Sequence, residues 1–155
     1  MRNELILWAD DEIDLLKPHI LFLKQKGYEV ITVSNGRDAL EMSEKEHFDL
    51  IILDENMPGL SGLETLSRIK ETNPDVPVVM ITKNEEENIM TQAIGNKIAD
   101  YLIKPVNPNQ ILLSIKKNLY QKEIISEKAT SGYQQEFNKI SSQINDSFSW
   151  EDWYE

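Results

Sequence analysis

The chain has 155 residues, 40% hydrophobic and 28% charged, which suits one domain of about 100–150 residues plus an appendage and excludes a disordered chain. It holds no cysteine, so a disulfide framework, a zinc–thiolate site and thiol catalysis are all excluded. The net charge is −11, with seven acids against three bases at 120–155 and twenty against thirteen upstream; neither part carries the basic stripe that a nucleic-acid backbone requires.

In chain order, Glu4–Ala9 (ELILWA) reads as a buried strand, too short for a signal peptide or a membrane span. A cytoplasmic protein with no membrane partner is expected. Ile13, Leu16, Ile20 and Leu23 follow at helical spacing; Pro18 should kink that helix or shift its start, and Gly27 ends it. Tyr28–Val33 alternates like a strand, Asn35–Glu46 is helical, and Phe48–Leu53 is a continuous apolar run of the parallel-strand kind. The loop Met57–Gly62 (MPGLSG) is rich in turn residues. Ser61 and Glu64 match a capping box that opens a helix closed by Pro74. Val76–Ile81 is a fourth strand, Glu85–Gly95 a fourth helix and Ala99–Ile103 a fifth strand. Asn107 caps a fifth helix with Pro108 at its first position. That helix carries Ile111, Leu112, Ile115 and Leu119 and is expected to run on past Ile125. After a break at Thr130–Gly132, the residues Tyr133, Phe137, Ile140, Ile144 and Phe148 repeat at helical spacing.

Five βα units in series predict a parallel, doubly wound sheet, (βα)5, with helices on both faces and a C-terminal helical extension. In such folds chemistry sits at the carboxyl ends of the strands, near a topological switch point. The strand ends deliver Asp10 and Asp11, then Asp54, then Thr82, then Lys104 followed by Pro105. Three clustered carboxylates repel one another, and a hard cation such as Mg²⁺ resolves that while also carrying phosphate oxygens. With the metal in place a carboxylate can act as a nucleophile at phosphorus, and a hydroxyl and an ammonium can stabilise the transferred group. Each residue alone has a plainer reading. Asp10 and Asp11 suit a helix N-terminus, Asp54 suits a loop, and Lys104 suits a solvated surface. Thr82-Lys-Asn-Glu85 is itself a capping-box pattern, and Tyr101 suits core packing. The combination, one member per strand end, carries the functional reading.

This arrangement resembles the response-regulator receiver domain of two-component systems, whose fold is flavodoxin-like. The matching residues are Asp10-Asp11, Asp54 in LDENMPG, Thr82 in MITK, Tyr101 in DYLIKP, and Lys104-Pro105; they cover residues 4 to about 120. The resemblance implies that a sensor histidine kinase phosphorylates Asp54. It implies that Asp10, Asp11, Asp54 and the Asn56 backbone carbonyl surround Mg²⁺. It implies further that Lys104, joined to Pro105 by a cis bond, contacts the phosphoryl group, that Thr82 swings towards it, and that Tyr101 follows inward. Asn56 and Asn84 stand where the family tunes phosphoryl lifetime. Lys83 departs from the small residue usual after the threonine, and so bears on access of donor and water. The face of the fourth helix, fifth strand and fifth helix is the expected site of phosphorylation-dependent homodimerisation.

A narrower resemblance rests on WADDE, on GNKIADYLIKPVNPNQ and on the Tyr133–Trp153 segment. These look like PorX-type regulators, in which a receiver is followed by a helical bundle and an alkaline-phosphatase-like effector linked to type IX secretion. A receiver at 1–120 and a helical linker at 121–155 are expected, in a piece of a longer chain that would reach a downstream regulatory protein. Three other readings compete: a haloacid-dehalogenase-like phosphatase, which shares an aspartyl phosphate with this chemistry; a receiver-fold interaction module that is never phosphorylated; and a DNA-binding regulator. Asn56 cannot supply the general acid of the first, the full set of chemical residues speaks against the second, and the acidic tail with no basic helix-turn-helix speaks against the third.

Overall fold

The structure is a computed structural model, and it describes residues 3–126. Five parallel strands, β1 (Leu5–Ala9), β2 (Glu29–Val33), β3 (Leu50–Leu53), β4 (Val78–Thr82) and β5 (Asp100–Ile103), form one sheet in the order β2-β1-β3-β4-β5. The helices between and after them are α1 (Lys17–Gln25), α2 (Gly36–Lys45), α3 (Gly62–Thr72), α4 (Glu87–Gly95) and α5 (Pro108–Ser126). This is the expected (βα)5 arrangement. The compact unit built from it ends at Leu119.

The central strands are apolar throughout because both of their faces are covered. Side chains alternate across the sheet, so Ile6, Trp8, Leu50, Ile52, Val79 and Ile81 meet Leu23 of α1 and Ile111 and Ile115 of α5 on one face. Leu7, Ala9, Ile51, Leu53 and Val78 meet Ala39 of α2, Leu66 and Ile69 of α3 and Ala93 of α4 on the other. Each fully buried aliphatic side chain contributes about 1.5–3 kcal/mol, so these two layers hold the strand ends in place.

Element ends follow local chemistry. Pro18 lies in the first turn of α1, where its missing N–H costs nothing, and Ile13–Leu16 forms a separate 3₁₀ turn instead of an earlier helical turn. β4 begins at Val78 and not at Val76, because Pro77 has no N–H for the ladder; its carbonyl accepts from Ile51 N–H at 3.0 Å. Ser61 Oγ accepts the Glu64 N–H at 3.1 Å and Asn107 Oδ1 accepts the Asn109 N–H at 2.8 Å, so both expected caps form.

The plainer, capping reading of Thr82 does not hold. Thr82 is the last residue of β4 and does not cap α4, which starts at Glu87, two residues later than expected, with no side-chain cap at Glu86. Thr82 Oγ1 instead accepts the Asn84 N–H at 3.2 Å, and Asn84 Oδ1 accepts the Glu86 N–H at 2.9 Å. Two short side-chain turns in succession occupy the backbone that a helical turn would have used. The predicted helix at 133–148 and the break before it lie outside the described residues. Among the described residues, no helix is long and apolar enough to cross a membrane.

Candidate functional site

The chain runs from β1 out to β2 on one side, then returns past β1 to β3 on the other. This reversal opens a crevice at the carboxyl ends of β1 and β3. Asp10 and Asp11 follow β1 and Asp54 follows β3, so all three acids fall at the crevice. One carboxylate oxygen from each lies within 4.8 Å of the others; among the described residues this is the one cluster of acidic or histidine groups able to hold a metal ion.

Asp10 is fully buried and Asp54 nearly so, whereas Asp11 is exposed. Lys104 Nζ, at the end of β5, lies 2.6 Å from Asp10 Oδ2 and 3.2 Å from Asp54 Oδ2. The Glu12 N–H donates to Asp10 Oδ1 at 2.8 Å, and the Asn56 N–H donates to Asp54 Oδ1 at 3.1 Å. Burial holds the Asp10 carboxyl above its ordinary range, against the hydrogen bonds from Lys104 and from the Glu12 N–H; the nearby Asp54 charge adds to the rise. Burial pulls the Lys104 ammonium down, but its hydrogen bond to Asp10 and the charges of Asp54 and Asp10 outweigh that and leave it above its usual value. Lys104 is therefore a fixed cation between two acids. The Lys104–Pro105 bond is cis.

Thr82 is completely buried beside this cluster. Tyr101 is half-buried, packs against the second core layer, and donates its hydroxyl to the Asn84 carbonyl at 2.8 Å. Asn84 thus links the two: its N–H reaches Thr82 and its carbonyl reaches Tyr101. Burial, then the negative charges of Glu55, Asp54 and Glu86, push the Tyr101 phenol up, so it stays a hydrogen-bond donor at neutral pH. Asn56 is exposed at the rim. Lys83 points across the site to Glu12, 3.3 Å away.

Two partners escaped the sequence reading. Glu55 is buried next to Asp54, and its Oε1 accepts the Leu63 N–H at 2.8 Å at the start of α3. No capping pattern reaches from Glu55 to a helix that opens only at Gly62, so the sequence carried no local signal for it. Glu12, the partner of Lys83, carried no signal of its own, because its 71-residue separation from Lys83 closes only in the fold.

The donor set fits a hard divalent cation: carboxylate oxygens converge, and no nitrogen or sulfur ligand intrudes. Residues 6–116 match the family model described as the response regulator receiver domain.

The chain belongs to the response regulator receiver family.

Its relatives agree. This receiver is 34% identical over 122 residues to the alkaline phosphatase synthesis transcriptional regulatory protein PhoP of Bacillus subtilis, covering 79% of this chain and 51% of that protein. It is 34% identical over 114 residues to the transcriptional regulatory protein ZraR of Klebsiella oxytoca, covering 74% of this chain and 26% of that one. The chain thus spans about half or less of the length of these curated relatives. Among solved structures, a CheY-like receiver from Methanospirillum hungatei superposes with a TM-score of 0.76 at 28% identity, covering 79% of this chain and 98% of that one. TrrA of Thermotoga maritima, solved in complex with Mg²⁺-BeF, gives 0.68 at 30% identity, covering 75% and 99%. Residues 123–155 match the PorX response regulator linker domain, which bears out the narrower resemblance. Membership in the receiver family sets aside the haloacid-dehalogenase-like alternative.

Proposed function

We propose that this receiver accepts a phosphoryl group on Asp54 from a sensor histidine kinase and passes the change to an output through Thr82 and Tyr101. The observation that carries this is the Lys104 ammonium held between Asp10 and Asp54, with Asp11 beside them, at the switch point of the sheet.

Asp54 is the nucleophile: its carboxylate oxygen bonds to phosphorus as the phosphorus–nitrogen bond of a phosphohistidine breaks and the imidazole leaves with the electron pair. Asp10, Asp11, Asp54 and the Asn56 carbonyl would hold Mg²⁺, which when bound offsets the charge of the phosphoryl oxygens. Lys104 is already positioned within reach of Asp54 and transfers its contact to a phosphoryl oxygen at small cost in motion. Thr82 uses its Oγ1 to accept from Asn84 and keeps its proton for a phosphoryl oxygen. Pulling Thr82 inward stretches its bond to Asn84, and Asn84 holds Tyr101, so the change reaches β5 and α4. Phosphorylation acts by favouring one of two states of this loop.

The matches at 6–116 and 123–155 support a receiver at 1–120 and a helical linker at 121–155. The linker match also supports a cytoplasmic PorX-type regulator, with an effector and a downstream regulatory partner acting in type IX secretion. Ile94 on α4 and Leu113 on α5, 70% and 66% exposed, support homodimerisation through the α4–β5–α5 face. The test is labelling with a small phosphodonor and Mg²⁺, followed by mass mapping. Asp54 should carry one phosphoryl group, and Asp54→Asn, which keeps the shape but is no nucleophile, should carry none. Stoichiometric labelling of Asp54→Asn would refute the assignment.

A further inference from the structure

Lys83 and Glu12 meet over the site. Glu12 stands in the loop after β1, its main chain pinned by the bond from its N–H to Asp10 Oδ1. Lys83 stands in the loop after β4, directly after the buried Thr82. In the sheet, β3 lies between β1 and β4. An ion pair that joins the loop of β1 to the loop of β4 therefore crosses the carboxyl end of β3, where Asp54 is. Lys83 Nζ lies 3.3 Å from Glu12 Oε2 and 3.4 Å from Oε1, and the two side chains are 65% and 41% exposed. The pair is thus on the solvent side of the acids, not among them. An exposed pair of this kind is weak and salt-sensitive. It cannot clamp the fold, but it can occupy the approach to Asp54.

We propose that the Lys83–Glu12 ion pair is a strap across the mouth of the phosphorylation site that sets the rates of phosphoryl entry and loss. This rests on Asp54 being the acceptor. Both reactions use the same approach. In entry from a small donor such as phosphoramidate, an Asp54 oxygen bonds to phosphorus while the phosphorus–nitrogen bond breaks, and the nitrogen departs with its electron pair as ammonia. In loss, a water oxygen bonds to phosphorus opposite Asp54; the bond to Asp54 breaks with its electron pair restoring the carboxylate, and both protons of the water leave with the inorganic phosphate. Donor and water both need the side of phosphorus that faces away from Asp54, which is the side the strap covers. Neither partner is a catalytic residue: Glu12 holds Lys83 in place, and Lys83 limits access.

Simple charge effects give a different pattern, which makes the strap testable. If Lys83 and Glu12 acted only through their fields, losing the lysine would slow an anionic donor and losing the glutamate would speed it. The strap requires both losses to act in the same direction. The experiment is phosphoramidate labelling and acyl-phosphate decay at saturating Mg²⁺ for the wild type, Lys83→Met, Glu12→Gln and the double variant. Both single variants should label about two- to fivefold faster and lose the phosphoryl group faster by a similar factor, the range an exposed ion pair commands. The double variant should match the singles, and high salt should move the wild type towards them. Opposite signs for the two single variants, additive effects in the double variant, or unchanged rates in all three would overturn the strap while Asp54 still labels. No labelling of the wild type would sink the acceptor assignment as well.

Discussion

At the scale of single residues, the site combines groups that would be unfavourable apart. Asp10 is fully buried and lies beside another acid, and it is retained because Lys104 and the Glu12 N–H meet its oxygens. Glu55 is buried with the Leu63 N–H as partner, and burial holds it above its usual range despite that bond, with the charge of Asp54 adding to the rise. Both acids therefore bind protons more tightly folded than unfolded. The protonated form favours the fold: that contribution is complete below the ordinary carboxylate range and is lost as pH rises through the folded value. In a chelator, relative to the wild type, a variant carrying Asp10→Asn and Glu55→Gln should gain stability as pH is raised from about 4 to 7. The amides keep the acceptor oxygens but no longer resist ionisation. Urea midpoints across that range provide the measurement, and parallel curves for the two proteins would contradict the account.

At the scale of elements, the loop between β3 and α3 is built by close approach. Gly62 opens α3 with its N–H on the Glu55 carbonyl at 3.0 Å, and a Cβ there would sit against the Asp54 carbonyl and 2.7 Å from Glu55 Cα. No rotamer relieves a clash with backbone. Gly62→Ala should push the start of α3 away from the Asp54 loop, at a cost of about 1–3 kcal/mol, and slow labelling of Asp54. Gly95, at the end of α4, meets nothing within 4 Å, so Gly95→Ala should be neutral or stabilise by up to about 1 kcal/mol, leaving labelling unchanged. Denaturant titration of the two variants separates these outcomes; equal effects would show that helix propensity, not close approach, governs Gly62. The same loop shows what the sequence could and could not disclose. The strands were legible because burial on both faces writes them as apolar runs, and Ser61 and Asn107 announced their helices through local chemistry. The site was legible because each strand end delivers its own polar residue. The start of α4 falls two residues beyond the expected Glu85, because strand pairing of Thr82 with Ile103 and the turn at Asn84 claim the backbone that an earlier helical turn would use. Glu12 and Glu55 were not legible because their partners are set by tertiary placement: across the sheet for Glu12, at a neighbouring helix start for Glu55.

At the scale of the whole molecule, charge and exposed apolar surface oppose each other. The chain carries a net charge of −11, and a phosphoryl group on Asp54 would make it more negative, so two copies repel at long range. Against this, Ile94 and Leu113 leave apolar side chains open on α4 and α5, the helices next to the strand that holds Tyr101. Apolar contact is short-ranged and little affected by salt, whereas the repulsion is screened over a Debye length of about 8 Å at physiological ionic strength. If α4–β5–α5 is the dimer face, salt should therefore strengthen association, the reverse of an interface held by surface ion pairs. Sedimentation of the beryllofluoride-treated protein with Mg²⁺ should show a dimer that tightens as salt rises from about 0.05 to 0.5 M, while the untreated protein stays monomeric at the same concentration. Ile94→Asp combined with Leu113→Asp should return the treated protein to monomer without altering labelling of Asp54, since neither side chain lies in the acidic cluster. A treated dimer that persists in this variant would place the interface on another surface, and one that weakens as salt rises would mean that ion pairs hold it.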